Sequence, residues 1–217
     1  MTDTIHHHLT DPLLMAYSAG TLPEAFSMVV AAHVSMCDEC RARLGSFDAI
    51  GGSLIDGAET VAMADDSLGA TLARIEAGAT AEPPAPRKRR RGVLPGPVQD
   101  YVGGNLDAVK WRPVGMGVKQ AILPTSRDAS ARLLYIPAGA AVPDHGHNGT
   151  ELTLVLQGAF EDESDRFGVG DVEVADDSME HTPVADIGQD CICLAATDAP
   201  LRFRGLLPRL AQPFLRI

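Results

Sequence analysis

Histidine, cysteine and glutamate side chains occur in this chain at the spacings of metal ligands. In the C-terminal half, residues 139–158 read GAAVPDHGHNGTELTLVLQG, where two glycines frame His145, His147 and Glu151. Alternate side chains of a strand point to one face, so His145 and His147 can both turn inward. An Asn-Gly pair after His147 predicts a turn, after which Glu151 returns on the next strand. Three ligands are therefore expected to converge from one hairpin.

A later segment supplies a fourth candidate ligand for the same site. Residues 170–183, GDVEVADDSMEHTP, contain His181 on a second predicted hairpin. A lone histidine is more often structural, but three histidines and a carboxylate at this spacing favour a metal site. The two segments resemble the two motifs of the cupin family, whose fold is a jelly-roll barrel. The second departs from the family pattern at Asp176 and Ser178, where proline and glycine are usual.

A second cluster lies in the N-terminal part of the chain. His33, Cys37 and Cys40 are spaced so that one helix would stack an imidazole and two thiolates on one face. Nitrogen and sulfur ligands suit Zn²⁺, which takes four ligands in structural sites. The fourth is expected from the histidines at 6–8, and we select His8 because it lies nearest the first helix. The alternatives are a buried cysteine pair and an affinity-tag remnant.

The N-terminal part has the capping residues and apolar spacing of helices. A first helix should start at Thr10 or Asp11 and stop at Gly20, since proline follows the cap. One long helix from Thr21 to Gly45 is predicted to carry the histidine and both cysteines of the cluster. Shorter helices are expected around residues 47–55 and from Asp65 or Asp66 to Gly78.

The middle of the chain has the composition of a linker. Residues 81–97, AEPPAPRKRRRGVLPGP, contain five prolines and a run of five basic residues, which favours a solvated tether over a nucleic-acid patch. Beyond it, short apolar segments of period two alternate with Gly, Pro and Asp, which predicts an antiparallel jelly-roll barrel. The predicted organisation is an all-α domain at 1–80, a linker at 81–100 and an all-β cupin domain at 101–217.

Charge and hydropathy restrict the class of protein. The net charge is −11; residues 1–80 carry 3 basic and 11 acidic groups, and residues 101–217 carry 10 and 16. Two acidic domains argue against nucleic acid as a direct partner and favour a basic protein. The chain has no apolar run of membrane-spanning length, and its start lacks a signal peptide. A cytoplasmic protein is therefore expected, with no membrane partner.

Cys191 and Cys193 form a second close pair of cysteines. In an extended strand both side chains point to one face, but their Cβ atoms should lie beyond the roughly 3.5–4.5 Å that a disulfide requires. We therefore expect buried thiols rather than a disulfide.

The chain as a whole resembles the ChrR-type anti-sigma factors of the singlet-oxygen response. AHVSMCDECRAR, VPDHGHNGTELTLVLQGAF and DCICLAATDAPLRF carry the resemblance. It implies that the N-terminal domain holds an extracytoplasmic-function sigma factor inactive, and that the cupin domain is needed for release on the oxidant signal. It also implies two zinc sites, formed by His8, His33, Cys37 and Cys40, and by His145, His147, Glu151 and His181.

Two other functions fit part of the sequence. Cupin sites of this kind occur in dioxygenases and isomerases that use iron, manganese or nickel, and a reversible site would suit a metal sensor. An enzyme has no evident use for an acidic helical module on a proline-rich tether, whereas a sensor needs an output device. The sequence therefore favours a regulator over a metal-dependent enzyme.

Overall fold

The computed structural model describes residues 4–78, 91–146, 148–200 and 202–203, and contains a helical part followed by a β-rich part. The helices are α1 (Asp11–Ser18), α2 (Glu24–Val34), α3 (Asp38–Asp56), α4 (Ser67–Gly78) and α5 (Gly96–Val102). The strands are β1 (Arg112–Gly115), β2 (Val118–Leu123), β3 (Ser130–Ile136), β4 (His145–Gly146), β5 (Glu151–Gln157), β6 (Phe160–Glu161), β7 (Arg166–Phe167), β8 (Val172–Ala175), β9 (Glu180–His181), β10 (Val184–Ala185), β11 (Cys191–Thr197) and β12 (Arg202–Phe203).

The strands form a cupin barrel from one large and two small sheets. The large sheet has six antiparallel strands in the order β1-β2-β3-β11-β5-β8, and the small sheets have the orders β10-β6-β7 and β12-β4-β9. Phe160 and Phe167 of a small sheet pack against Val155 and Cys193 of the large one, so apolar side chains fill the space between the sheets. The predicted fold class, helices followed by an all-β cupin domain, is confirmed.

The central strands of the large sheet are covered on both faces. In β5 and β11 every residue but the last is buried. Val155 and Cys193 point to the barrel interior, whereas Leu154 and Leu194 belong to a core shared with the helices. Because both faces are covered, these strands are almost continuously hydrophobic rather than strictly alternating.

Helix α2 joins the helical part to the barrel. It packs on β3, β5 and β11 on one side and on α1, α3 and α5 on the other. Phe26, Val29 and Val30 are almost fully buried, as expected of a helix that is hydrophobic all round. The helices and the outer face of the large sheet therefore share one hydrophobic core.

The predicted long helix from Thr21 to Gly45 is wrong, because two helices replace it. α2 ends at Val34, and Cys37 adopts an extended conformation as the N-cap of α3, with its sulfur accepting a hydrogen bond from the Cys40 amide. Acidic residues in the first turn of α3 favour this new helix start. α3 then runs through Gly45 and absorbs the separate helix expected at 47–55, since an interior glycine costs a helix only about 1 kcal/mol.

The last part of the segment predicted as a linker is packed. Leu94 and Val98 are 1% and 0% exposed and belong to the shared core, and α5 contacts α2. Residues 79–90, which include most of the basic run, lie outside the described residues. The apolar residues of GVLPGPV thus anchor the start of the cupin domain against the helical part.

Helix α4 differs from the other helices in its exposure. None of its side chains is buried against any part of the chain that the structure describes, and Leu68, Leu72 and Ile75 are 71%, 50% and 62% exposed. The apolar residues of α4 are thus left without a partner in the described chain.

Within the described ranges, no helix is both long and apolar enough to cross a membrane.

Candidate metal centres

The first candidate centre lies where α1, α2 and α3 meet. His8 precedes α1, His33 lies in the last turn of α2, and Cys37 and Cys40 lie at the start of α3. Their potential ligand atoms all lie within 4.8 Å of one another. His8 Nδ1 is 3.3 Å from the sulfur of Cys37 and 3.6 Å from that of Cys40. These four residues could hold a metal ion.

Each imidazole of this centre is oriented by a contact on its other nitrogen. His33 Nδ1 donates to the carbonyl oxygen of Gly170 at 2.8 Å, which leaves the buried Nε2 atom with no hydrogen-bond partner among the described residues. His8 Nε2 lies 3.3 Å from a carboxylate oxygen of Glu39, while Nδ1 faces the sulfurs. This is the arrangement found around metal-bound histidines, because the outer contact fixes the tautomer.

Burial controls protonation at this centre. Burial lowers the pKa of His33 to about 4, so its imidazole is neutral at pH 7 and has a lone pair for a metal. Burial raises the pKa of the Cys40 thiol to about 11. A bound cation would favour the thiolates, and the nearby Arg43 guanidinium, 3.9 Å from the sulfur of Cys40, adds to that effect.

The structure brings together the four residues selected from the sequence, but not on one helix face. The break between α2 and α3 lets His33 approach from one helix and the two cysteines from the other. The choice within the histidine run also agrees with this geometry. The His8 ring points to the cysteines, whereas the His7 ring packs on Phe167 at 4.4 Å between centroids.

The second candidate centre lies inside the barrel, around His145 and His181. These residues are cross-strand partners on β4 and β9. Their Nε2 atoms are 3.3 Å apart, and both side chains are buried. His147, predicted as a ligand beside them, lies outside the described residues.

The outer nitrogens of these two imidazoles are held by oxygen atoms. His145 Nδ1 lies 2.9 Å from the carbonyl oxygen of Pro143, and His181 Nδ1 lies 2.8 Å from Asp162 and 2.9 Å from Glu173. Burial lowers the pKa of His145 to about 4. For His181, burial opposes the charge, but the Glu173 and Asp162 carboxyls outweigh it and raise the pKa to about 9.

Glu151 lies in the same barrel interior at the start of β5. Its carboxyl is buried and accepts a hydrogen bond from the Thr153 hydroxyl at 3.1 Å. Burial raises its pKa, while the charges of Arg132 and His181 act in the opposite direction. Glu151 thus interacts electrostatically with His181.

The predicted hairpin between the two motif strands is wrong. β4 pairs with β9 and β12, whereas β5 pairs with β8 and β11. His145 and Glu151 therefore come from different sheets. The physical reason is that the segment between them leads from one sheet of the barrel to the other, so the Asn-Gly pair does not form a tight two-residue hairpin.

Asp162 and Glu173 are two further residues of the barrel cluster that the sequence did not indicate. With His181 they form a second group whose ligand atoms lie within 4.8 Å of one another. Glu173 could have been found, because it is a charged residue between two valines of a short strand, where alternation turns it away from the outer core. Asp162 lies in an acidic turn and has no such signal.

Cys191 and Cys193 are both buried in the barrel interior, as expected from the alternation of a strand. Their sulfur atoms are 3.4 Å apart, closer than the extended strand suggests. The pairing of β11 with β5 is irregular between Ile192 and Cys193. The hydrogen bond with Cys191, together with burial, raises the pKa of the Cys193 thiol well above its usual value.

These features define a class of protein in which a helical module with a His/Cys cluster that could hold a metal ion is packed on a cupin barrel. The family model described as the ChrR cupin-like domain matches residues 99–199. The anti-sigma-E factor ChrR of Cereibacter sphaeroides is 61% identical over 214 residues, which cover 99% of this chain and 100% of the relative. The crystal structure of Rhodobacter sphaeroides SigE in complex with the anti-sigma factor ChrR contains a similar chain, with 58% identity, 90% of this chain and 100% of that chain covered, and a TM-score of 0.80. The chain therefore belongs to the ChrR family.

Proposed function

We propose that this protein is a cytoplasmic anti-sigma factor that binds and inhibits an extracytoplasmic-function sigma factor. The observation that carries the proposal is the exposed apolar surface of α4 and the end of α3. Leu54, Ile55 and Leu68 are each at least 70% exposed, and Leu72 and Ile75 at least 50%. Such a concentration of exposed apolar residues marks a surface for another protein.

The partner class follows from charge and from the relatives. Residues 1–80 have 3 basic and 11 acidic groups, so a basic protein surface is the complement and DNA is repelled. The relatives are named as anti-sigma factors, and one of them was crystallised with SigE. A sigma factor is a protein with DNA-binding surfaces, and an acidic module that covers such a surface would inhibit it.

We infer that the first metal centre binds structural zinc. In a tetrahedral zinc site with bonds of about 2.3 Å to sulfur and about 2.0–2.1 Å to nitrogen, adjacent sulfur and nitrogen ligands lie roughly 3.5 Å apart. The distances from His8 to the two sulfurs, 3.3 and 3.6 Å, agree with this spacing. His33 Nε2 supplies the fourth ligand atom, since it is buried and otherwise unsatisfied among the described residues.

We infer that the barrel binds a second zinc ion through His145, His147, Glu151 and His181. Two nitrogen ligands of tetrahedral zinc lie roughly 3.3–3.4 Å apart. The two Nε2 atoms of His145 and His181 are 3.3 Å apart, which supports a shared ion. Asp162 and Glu173 then hold the outer nitrogen of His181.

The proposed division of labour assigns inhibition to residues 1–80 and signal response to the cupin domain at 101–217, joined by residues 81–100, whose last part packs in the shared core. The proposed signal is an oxidant, singlet oxygen, which the resemblance to ChrR-type factors implies. A metal-dependent cupin enzyme is the alternative. The named relative favours a regulator, because 61% identity extends over the helical module and the barrel together.

The test of sigma binding uses the apolar face of α4. Leu68→Glu and Leu72→Glu place charges in the proposed interface, and each should weaken binding to purified Rhodobacter sphaeroides SigE by about thirtyfold or more. Ile187→Glu is the matched control, because Ile187 is an exposed apolar residue of the barrel, 88% exposed. Calorimetric titration measures the affinities. Unchanged affinity for both α4 variants would show that this face is not the interface.

A further inference from the structure

Residues 168–173 of the barrel contact both candidate metal centres. This segment comprises the turn between β7 and β8 and the first two residues of β8. One part of it lies against the N-terminal segment and α2, and its last residue points into the barrel. The segment therefore connects the surroundings of one centre to those of the other.

The first contact is the hydrogen bond from His33 Nδ1 to the carbonyl oxygen of Gly170, at 2.8 Å. The two residues are 137 positions apart in the chain. This bond places the proton of the imidazole on Nδ1 and directs Nε2 toward the cysteines. The tautomer of a ligand in the helical centre is thus fixed by the barrel.

The second contact is made by Asp171, whose side chain is almost fully buried. One carboxylate oxygen accepts hydrogen bonds from the backbone amides of His6 and His7, at 2.7 and 2.8 Å. The other accepts from the Gly168 amide at 2.7 Å, and the Val172 amide donates to the His7 carbonyl oxygen at 3.2 Å. The backbone immediately before His8 is therefore fastened to the barrel.

The third contact is the close approach of Ile5 to Gly170. A Cβ atom at position 170 would lie 2.6 Å from Cδ1 of Ile5, and Gly170 has a φ of +92°. Only glycine combines this backbone conformation with that approach. The N-terminal segment is seated on the turn by packing as well as by hydrogen bonds.

The opposite end of the segment reaches the barrel centre. Glu173 lies 2.9 Å from Nδ1 of His181, and its carboxyl is buried. Gly170 and Glu173 are three residues apart, which is about 10 Å of extended chain. If β8 shifts together with His181, Gly170 and Asp171 would therefore move with it. No other element needs to move before them.

We propose that residues 168–173 couple the two metal centres, with Gly170 and Asp171 acting as positioning residues for the His33 and His8 ligands of the helical centre. The biological role of this coupling rests on the proposed function: loss of metal from the barrel would loosen the sigma-binding module. Thermodynamic linkage makes the effect reciprocal. If metal in the barrel strengthens metal binding at the helical centre, metal at the helical centre must strengthen binding in the barrel by the same factor.

The experiment measures release of metal from the helical centre in the full chain. The protein is loaded with Co²⁺, whose sulfur-to-metal charge-transfer absorption reports the cysteine-containing site alone, and a chelator is added. Asp171→Asn retains the shape of the side chain but weakens its hydrogen bonds to the two amides, and it should speed release about tenfold or more. Asp165→Asn is the control, because exposed Asp165 contacts the His7 ring and not this backbone; its release rate should stay within about twofold of the wild type.

Two further variants test the coupling itself. His181→Ala, which removes a barrel ligand, should speed release from the helical centre in the wild-type background and have little added effect in Asp171→Asn. Ile5→Ala should also speed release. Because it leaves the barrel core intact, this variant tests the proposal even if Asp171→Asn fails to fold. Wild-type release rates in both Asp171→Asn and Ile5→Ala, or fully additive effects of His181→Ala and Asp171→Asn, would overturn the proposal. Because release is measured without a sigma factor, failure of sigma binding would leave this result unaffected.

Discussion

At the scale of single residues, the helical centre combines two thiols and two imidazoles in a small buried volume. Cys37 and Cys40 are 3% and 0% exposed, and burial raises the pKa of Cys40 to about 11. Buried thiols of this kind become ligands when a cation offsets the cost of their charge. The metal and the local fold are therefore expected to depend on each other.

Removal of one cysteine should abolish the helical metal site. Cys37→Ser and Cys40→Ser are each expected to lose one zinc per chain and to weaken sigma binding at least tenfold, because structural zinc contributes folding free energy to its module. His8→Ala should lose the same ion, whereas His6→Ala should keep it, since the exposed His6 side chain is outside the cluster. Metal analysis of the purified proteins measures the stoichiometry. Zinc retained in His8→Ala and lost in His6→Ala would reassign the ligand.

Metal binding in the barrel should depend on pH in a defined direction. The pKa of His181 is raised to about 9, so below pH 9 this imidazole carries a proton that a metal must displace. Apparent zinc affinity should therefore rise with pH, by up to about tenfold per unit between pH 6 and pH 8. His145, with a pKa of about 4, should contribute no such dependence in this range.

The pH dependence is measured by zinc titration of the Cys37→Ser, Cys40→Ser double variant, which isolates the barrel site. Glu173→Gln removes a carboxylate that raises the pKa of His181, so its affinity should vary less with pH over the same range. An affinity that is constant from pH 6 to pH 8 in the double variant would contradict the assignment of His181 as a ligand that must lose a proton to bind the metal.

At the scale of elements, the turn before β8 requires glycine at position 170. Gly170→Ala introduces a Cβ at a φ of +92° and displaces Ile5, and the backbone alone should cost about 1–2 kcal/mol in free energy of unfolding. Gly188→Ala, where a Cβ meets no atom within 4 Å, should change stability by less than about 0.5 kcal/mol. Urea unfolding of both variants provides the comparison. Equal stabilities would mean that the turn relaxes without strain.

The elements also show which parts of the structure follow from local sequence. α1 begins after its Thr10 cap and ends before Gly20, and β3, β5, β8 and β11 fall in segments with predicted strand patterns. The break at Cys37 is not apparent from the sequence pattern, because no proline or glycine marks it; the Cys37 thiol caps α3, and the acidic residues of its first turn favour the new start. Local pattern also cannot reveal that His145 pairs with His181, since strand pairing across 36 residues is a tertiary contact.

The residues of the candidate sites were more predictable than the way in which they meet. Ligand types at template spacing select His33, Cys37, Cys40, His145 and His181 as candidate ligands from the sequence. Supporting residues such as Asp171 have no pattern of their own. Asp171 accepts hydrogen bonds from two backbone amides that lie 164 and 165 positions away in the sequence. No local pattern can therefore predict its role.

At the scale of the whole molecule, the shared core predicts that the two halves stay together after cleavage. A specific protease site in place of residues 81–90 would allow the chain to be cut between the helical part and the barrel. The fragments should co-elute in size-exclusion chromatography, because α2 is buried between the other helices and β3, β5 and β11. Val29→Asp buries an unpaired charge in this core and should release the fragments. Separation of the cut wild-type fragments would show that the halves are independent.

The exposure of α4 has a consequence for the lifetime of the protein in the cell. A twelve-residue helix with none of its side chains buried against the described chain is expected to be marginally stable in water and to open locally while the rest stays folded. Proteases cleave such segments when they open, and a bound partner prevents opening. Pulse-chase labelling should therefore show free inhibitor turning over several times faster than inhibitor in complex, whereas equal half-lives would argue against it. The amount of inhibitor would then follow the amount of its target, so that little surplus persists to delay the response.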